Sequence, residues 1–190
     1  MDGRGAIELI VGAMFSGKTR EMLARVEMAT FTRADVLVVR FAGDTRYGDD
    51  IATHSGAPVR DAPAGAGRGA LRVVTARQLA EVEPRPSETV IGVDEGQFYP
   101  DLARYAAEWA GRGRRVVVAA LDGDADMRPF ASVSALIPHC DQVEKRRGAC
   151  ARCGAQSVYS TRLSGASASP DEVSVGGAES YAAVCRACRS

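Results

Sequence analysis

Eight residues, Gly12-Ala13-Met14-Phe15-Ser16-Gly17-Lys18-Thr19, follow the apolar run IELIV without a break and lead into REMLARV. They fit G-x-x-x-x-G-K-[ST] in the context that gives the pattern meaning: strand, loop, helix. The glycines let backbone N–H groups turn inward around phosphate oxygens, and the helix that follows presents the positive end of its dipole to the anion. Lys18 supplies a point charge toward the outer phosphates, and the Thr19 hydroxyl can bind Mg²⁺. This stretch predicts a strand-loop-helix unit that holds a nucleoside triphosphate.

The same alternation continues along the chain. Ala6 to Val11, Val36 to Val39, Leu71 to Val74, Thr89 to Val93 and Val116 to Leu121 read as short buried strands. Arg20 to about Phe31 and Asp101 to Ala110 read as helices, the first turning Met22, Leu23, Val26 and Met28 or Ala29 to the core. Thr75 with Gln78 resembles a capping box that opens a helix over ARQLAEV, ended by Pro84 and Pro86. Residues 41 to 69 are rich in Gly, Asp, Ala and Pro and read as loop. Strands alternating with helices predict an α/β fold of the P-loop NTPase type, a mostly parallel sheet with helices on both faces. Ligands of such sheets gather beyond the C-terminal strand ends. The phosphate loop, Asp94-Glu95 and Asp122 all fall at such ends.

Charge narrows the partners. The 24 basic and 24 acidic residues cancel, which argues against a dedicated nucleic-acid or membrane-surface binder. The first five residues are polar, no apolar run reaches membrane-spanning length, and four of the five cysteines fall in two CxxC pairs. Together these predict a cytoplasmic protein that uses cysteine for metal before disulfides.

VIGVDEGQF places two carboxylates just past a buried strand. Asp94 suits the Walker-B role of holding Mg²⁺, and Glu95 is free to take a proton from an acceptor hydroxyl or from water. A kinase and an ATPase both need these residues, so they leave the acceptor open. Cys150-x-x-Cys153 and Cys185-x-x-Cys188 suit a tetrahedral, structural Zn²⁺ with no open coordination position. The 31 residues between the pairs are polar and Gly/Ser-rich, so the metal closes the base of a long loop that can act as a lid. The boundary predicted from these signals gives a nucleotide-binding α/β domain over 1–145 and a zinc-binding lid, or lasso, domain over 146–190.

Taken together, IELIVGAMFSGKT, DTRYG with ATHSG, VIGVDEGQFYPDL, VVVAALDG with RPF, both CxxC pairs, YSTRL and VGGAESYAAVC resemble the type II thymidine kinases, in that family's order from residue 6 to 188. The resemblance implies transfer of the γ-phosphate of ATP to the 5′-hydroxyl of thymidine, with ATP, Mg²⁺ and structural Zn²⁺, in a homotetramer. It implies that Gly12 to Thr19, Asp44, Thr45, Arg46, Asp94 and Gln97 hold ATP. Thr19 and Asp94 would serve Mg²⁺, and Glu95 would deprotonate the 5′-hydroxyl. Met14, Phe98, Leu121, Ala125, Phe130, Ser160, Val173, Val175, Gly176 and Tyr181 would surround the nucleoside.

The chain departs from the family pattern at a few places. Ala125 stands where an aromatic is usual, within Asp124-Ala-Asp-Met127, which replaces an aromatic-then-basic stretch. Thr161 replaces a common Lys, Ser55 a common Asp, and Ala13 a frequent Pro. Two other readings stay open at this point: an NTP-hydrolysing switch or motor with a zinc module, and a non-catalytic nucleotide-binding relative. His54 and His139 read as solvated loop or turn residues, Cys140 as buried and apolar, and Trp109 as a packing residue. Lys145-Arg146-Arg147 reads as a solvated face leading into the zinc module.

Overall fold

The computed structural model describes residues 5–43, 61–65, 67–163 and 177–189. Six strands form one parallel sheet: β1 (Ala6–Gly12), β2 (Asp35–Phe41), β3 (Leu71–Ala76), β4 (Glu88–Val93), β5 (Arg115–Ala120) and β6 (Gln142–Arg146), in the order β3-β2-β4-β5-β1-β6. The inner strands are buried on both faces, which is why they read as largely apolar runs.

Alternation along these strands divides the core in two. Ile10, Val36, Val38, Val90, Val117 and Ala119 face α1 (Lys18–Thr30), meeting Met22, Leu23, Val26 and Ala29. Leu9, Leu37, Ile91, Val116 and Val118 face the other way, toward α2 (Leu102–Gly111) and α3 (Ala131–Leu136). Trp109 is 1% exposed within that second layer and packs as predicted. Ala29 rather than Met28 turns inward, and Met28 lies 64% exposed.

Three local expectations need correction. No cap joins Thr75 and Gln78, because Thr75 belongs to β3, where it pairs with Arg40. Only a single 3₁₀ turn, Leu79–Glu81, follows. The Leu79 and Ala80 amides donate instead to the Asp101 carboxylate at 3.2 and 2.9 Å, a partner supplied by the start of α2. The sheet also has a sixth strand beyond those the sequence predicts, for β6 pairs with β1 along its other edge. Finally, Arg146 does not sit on a solvated face.

Arg146 belongs to a half-buried ion network that fastens β6 to the rest of the sheet. Its guanidinium Nη1 lies 3.0 Å from Glu21 and 3.0 Å from Glu144. Arg25 reaches Glu8 and Glu21 at 3.0 Å each and also pairs with Glu144. Arg115 holds the other Glu8 oxygen at 2.5 Å. Burial pushes the Glu8 carboxyl up, but Arg115 and Arg25 outweigh it and hold the group below the ordinary carboxylate range.

Beyond β6 the chain forms two small antiparallel hairpins. One pairs β7 (Gly148–Ala149) with β8 (Gln156–Ser157), and the other pairs β9 (Tyr159–Arg162) with β10 (Tyr181–Val184), which runs into the short helix α4 (Arg186–Arg189). Among the described residues, no helix is long and apolar enough to cross a membrane.

Candidate active site

The C-terminal ends of β1, β4 and β5 meet at one edge of the sheet, and the chemistry sits there. Gly12 closes β1 at φ 149°, and a Cβ on it would lie 2.5 Å from the Arg146 carbonyl oxygen. Only glycine fits a position that combines this backbone angle with so close an approach. The loop then passes Phe15 at φ 60° before Gly17 caps α1. Lys18 Nζ donates to the Ala13 carbonyl at 2.9 Å, folding back over its own loop. Ser16 Oγ is buried with no hydrogen-bond partner among the described residues. An unpaired hydroxyl beside a lysine and a helix N-terminus suits an anionic guest.

Asp94 follows β4 directly. Its N–H donates to Val39 O at 3.0 Å, and its carboxylate accepts from Thr19 Oγ1 at 2.8 Å. Burial, then the adjacent Glu95 charge, push the Asp94 carboxyl up to about 7, with Thr19 and Lys18 pulling the other way. A buried carboxylate beside a second carboxylate and a hydroxyl is short of positive charge. The donor set is all oxygen, as Mg²⁺ prefers.

Glu95 occupies the left-handed region at φ 52°, a conformation that costs a non-glycine residue and recurs at functional sites. Gln97 holds it there. Its Nε2 donates to Glu95 Oε2 at 2.5 Å, its Oε1 accepts from the Leu121 N–H at 2.9 Å, and its carbonyl accepts from Ser132 Oγ at 3.1 Å. The Gln97 side-chain amide thus ties the second carboxylate to the end of β5, and its backbone carbonyl ties the turn to α3. Phe98 stacks on Phe41 with centroids 4.8 Å apart, while Tyr99 meets Phe41 edge-on at 5.5 Å.

The four cysteine sulfurs converge at the base of the hairpins, all within 4.8 Å of one another, with Cys153 and Cys185 at 3.7 Å. A tetrahedron of Zn–S bonds has edges of about 3.8 Å, so the set fits a zinc ion. The backbone N–H of Cys185, with those of Arg152 and Cys153, lowers the Cys150 thiol to about 6. Its neighbours Cys153 and Cys185 push Cys188 up to about 12. Four thiols this close cannot all ionise without a cation among them.

With this geometry in view, the comparisons decide the family. A family model described as thymidine kinase matches residues 5–189. The chain belongs to the thymidine kinase family. It is 37% identical over 187 residues to human cytosolic thymidine kinase, covering 97% of this chain and 73% of the human one. The chicken cytosolic thymidine kinase is 37% identical over 186 residues, covering 97% and 77%. The raccoon poxvirus thymidine kinase is 34% identical over 185 residues, covering 97% and 96%.

Within this thymidine kinase fold, the structure brings together Thr19 with Asp94, Glu95 with Gln97 and Leu121, and Met14 with Ser160, whose Oγ accepts the Met14 N–H at 3.0 Å. Gln97, expected at the nucleotide, is 7% exposed and engaged with Glu95. Ala125 lies in a turn closed by Asp124, whose Oδ1 accepts from the Asp126 and Arg128 amides at 2.9 and 2.8 Å. Phe130 precedes α3 and packs against the second core layer, and Tyr181 begins β10. Asp44, Thr45, Arg46, Val173, Val175 and Gly176 lie outside the described residues, as do His54 and Ser55. His139 is exposed, as expected. Cys140 is half-buried, with its thiol pushed up to about 11 by burial and Asp141. Phe41 and Arg146 are the residues that sequence reasoning missed. Arg146 announces itself only through its pairing with Gly12, and QVEKR is too polar to read as a sheet strand.

Proposed function

We propose that this protein is a thymidine kinase that transfers the γ-phosphate of ATP to the 5′-hydroxyl of thymidine. The observation that carries the reading is the Thr19–Asp94–Glu95–Gln97 constellation beside the phosphate loop, with Asp94 and Gln97 buried, in a chain of this family. Gly12 to Thr19 cradle the phosphates, and Lys18 leaves the Ala13 carbonyl for a phosphate oxygen. Thr19 and Asp94 would hold Mg²⁺, which when bound would supply positive charge against the phosphates. Glu95 takes the proton as the nucleoside oxygen bonds to the γ-phosphorus and the bond to the ADP oxygen breaks. A general base of this kind contributes roughly 10²–10⁴-fold in rate. Gln97 keeps its carboxylate aimed.

Met14, Phe98, Leu121, Phe130, Ser160 and Tyr181 line the nucleoside site, and by the family pattern Val173, Val175 and Gly176, outside the described residues, serve the same substrate. By the same family pattern Asp44, Thr45 and Arg46, outside the described residues, belong to the ATP-binding set. Ala125 leaves the base pocket wider than an aromatic there would. The lid over 146–190 excludes water from the γ-phosphate, which is what separates transfer from hydrolysis. The protein works on small molecules in the cytoplasm, as a homotetramer, without nucleic acid or membrane. ADP release measured against a panel of nucleosides tests the reading. Thymidine is expected to stimulate release most, whereas release that no nucleoside stimulates counts against it.

A further inference from the structure

The segment that leads into and carries the four clustered cysteines touches the phosphate loop on both sides of Phe15. Phe15 sits at φ 60°, in the left-handed region that a side chain rarely adopts. Such a conformation persists only where its surroundings hold it. On one side, the N–H of Met14 donates to Ser160 Oγ at 3.0 Å, across 146 residues of sequence. On the other, the carbonyl of Ser16 accepts from Arg146 Nε at 3.4 Å. Between them, Gly148 packs so near the Phe15 carbonyl oxygen that a Cβ there would lie 2.9 Å from it.

Both contacting arms lead to the thiolates. Ser160 lies on β9 opposite Ala183 of β10, one residue before Val184 and two before Cys185. The Ala183 carbonyl in turn accepts from the Ala151 N–H at 2.8 Å, next to Cys150. Arg146 leads through β7 to Cys150, while its guanidinium is locked to Glu21 of α1 at 3.0 Å. Ser160 is 6% exposed, so its hydroxyl has little water to turn to instead.

We propose that Ser160 and Arg146 are positioning residues for the nucleotide, through which the zinc module sets the shape of the phosphate loop. The inference rests on the kinase reading for its meaning, but not for its test. The module then has two tasks: to carry the loop expected over the nucleoside, and to brace the loop that holds the triphosphate. Losing Ser160 frees the Met14 amide, and nucleotide binding must then order a loop that the wild type holds ready.

Calorimetric titration of the zinc-loaded protein with ADP and Mg²⁺, without nucleoside, tests this. Ser160→Ala is expected to weaken ADP binding about five-fold, the worth of one hydrogen bond. Ser160→Thr restores it within about two-fold, because the hydroxyl remains. Arg146→Met weakens ADP binding to a similar degree as Ser160→Ala. ADP affinity unchanged in Ser160→Ala, with only KM for thymidine raised, overturns the proposal and leaves Ser160 a nucleoside contact. So does a loss of ADP affinity that Ser160→Thr fails to restore. A wild type that binds ADP normally yet phosphorylates no nucleoside sinks the kinase reading alone.

Discussion

Asp94 and Glu95 are neighbours whose environments give them different tasks. Asp94 ends a buried strand and accepts from Thr19, so ionising it in the metal-free protein is costly. Its carboxyl, at about 7 in the fold against 3.8 ordinarily, keeps its proton across that window while the unfolded chain has lost it. Metal-free stability therefore falls as pH rises from about 4 to about 7, by about 4 kcal/mol at most. Asp94→Asn is expected to melt higher than the wild type at pH 8 without Mg²⁺, with the difference shrinking toward pH 4. Thermal melts over that pH range check it, and a gap independent of pH contradicts it. Glu95 differs, carrying backbone strain at φ 52°, and Gln97, two residues on, bonds its carboxylate while accepting from the Leu121 N–H just past β5.

Among the elements, β6 was the hardest to read, and it explains most of what the sequence withheld. The inner strands announce themselves because burial on both faces favours apolar residues at most positions. QVEKR lies at the sheet edge, where Glu144 and Arg146 are satisfied by Arg25 and Glu21 rather than by apolar partners. Charge complementarity over such distances leaves no periodic signal. The false capping box at Thr75 has the same origin, since Asp101 takes the amides from 21 or more residues away. The network also carries a prediction. Glu8 has a depressed pKa, so its contribution is fully present above the ordinary carboxylate value and is lost as pH falls through the folded one. Glu8→Gln leaves Arg25 and Arg115 without their shared acceptor and is expected to cost about 2–3 kcal/mol at pH 7. Urea unfolding at pH 7 and pH 3 measures it, and the cost should diminish at the lower pH.

At the scale of the whole molecule, the phosphate loop, the carboxylate pair and the thiolate cluster were all legible because each needs particular residue types at fixed spacing. What spacing could not reveal was their contact, in which Ser160 and Arg146 reach the phosphate loop from more than a hundred residues away in sequence. The zinc module is thus expected to matter beyond its own folding. Stripping the metal with a chelator should abolish phosphorylation of nucleoside while the six-stranded sheet stays folded, read by far-ultraviolet circular dichroism beside activity. Structural zinc contributes ~10–16 kcal/mol in isolated finger peptides and less where a large core folds alone. Full activity after complete zinc removal contradicts this. The central claim is that Glu95 takes the proton from a thymidine 5′-hydroxyl while the adjoining loop presents the γ-phosphate. Single-turnover transfer from γ-labelled ATP, in wild type and Glu95→Gln, tests it most directly. The label is expected to appear in thymidine monophosphate and to appear there 10²–10⁴-fold more slowly in the variant, with ATP binding intact. Equal rates in the two proteins, or label released only as inorganic phosphate, would contradict it.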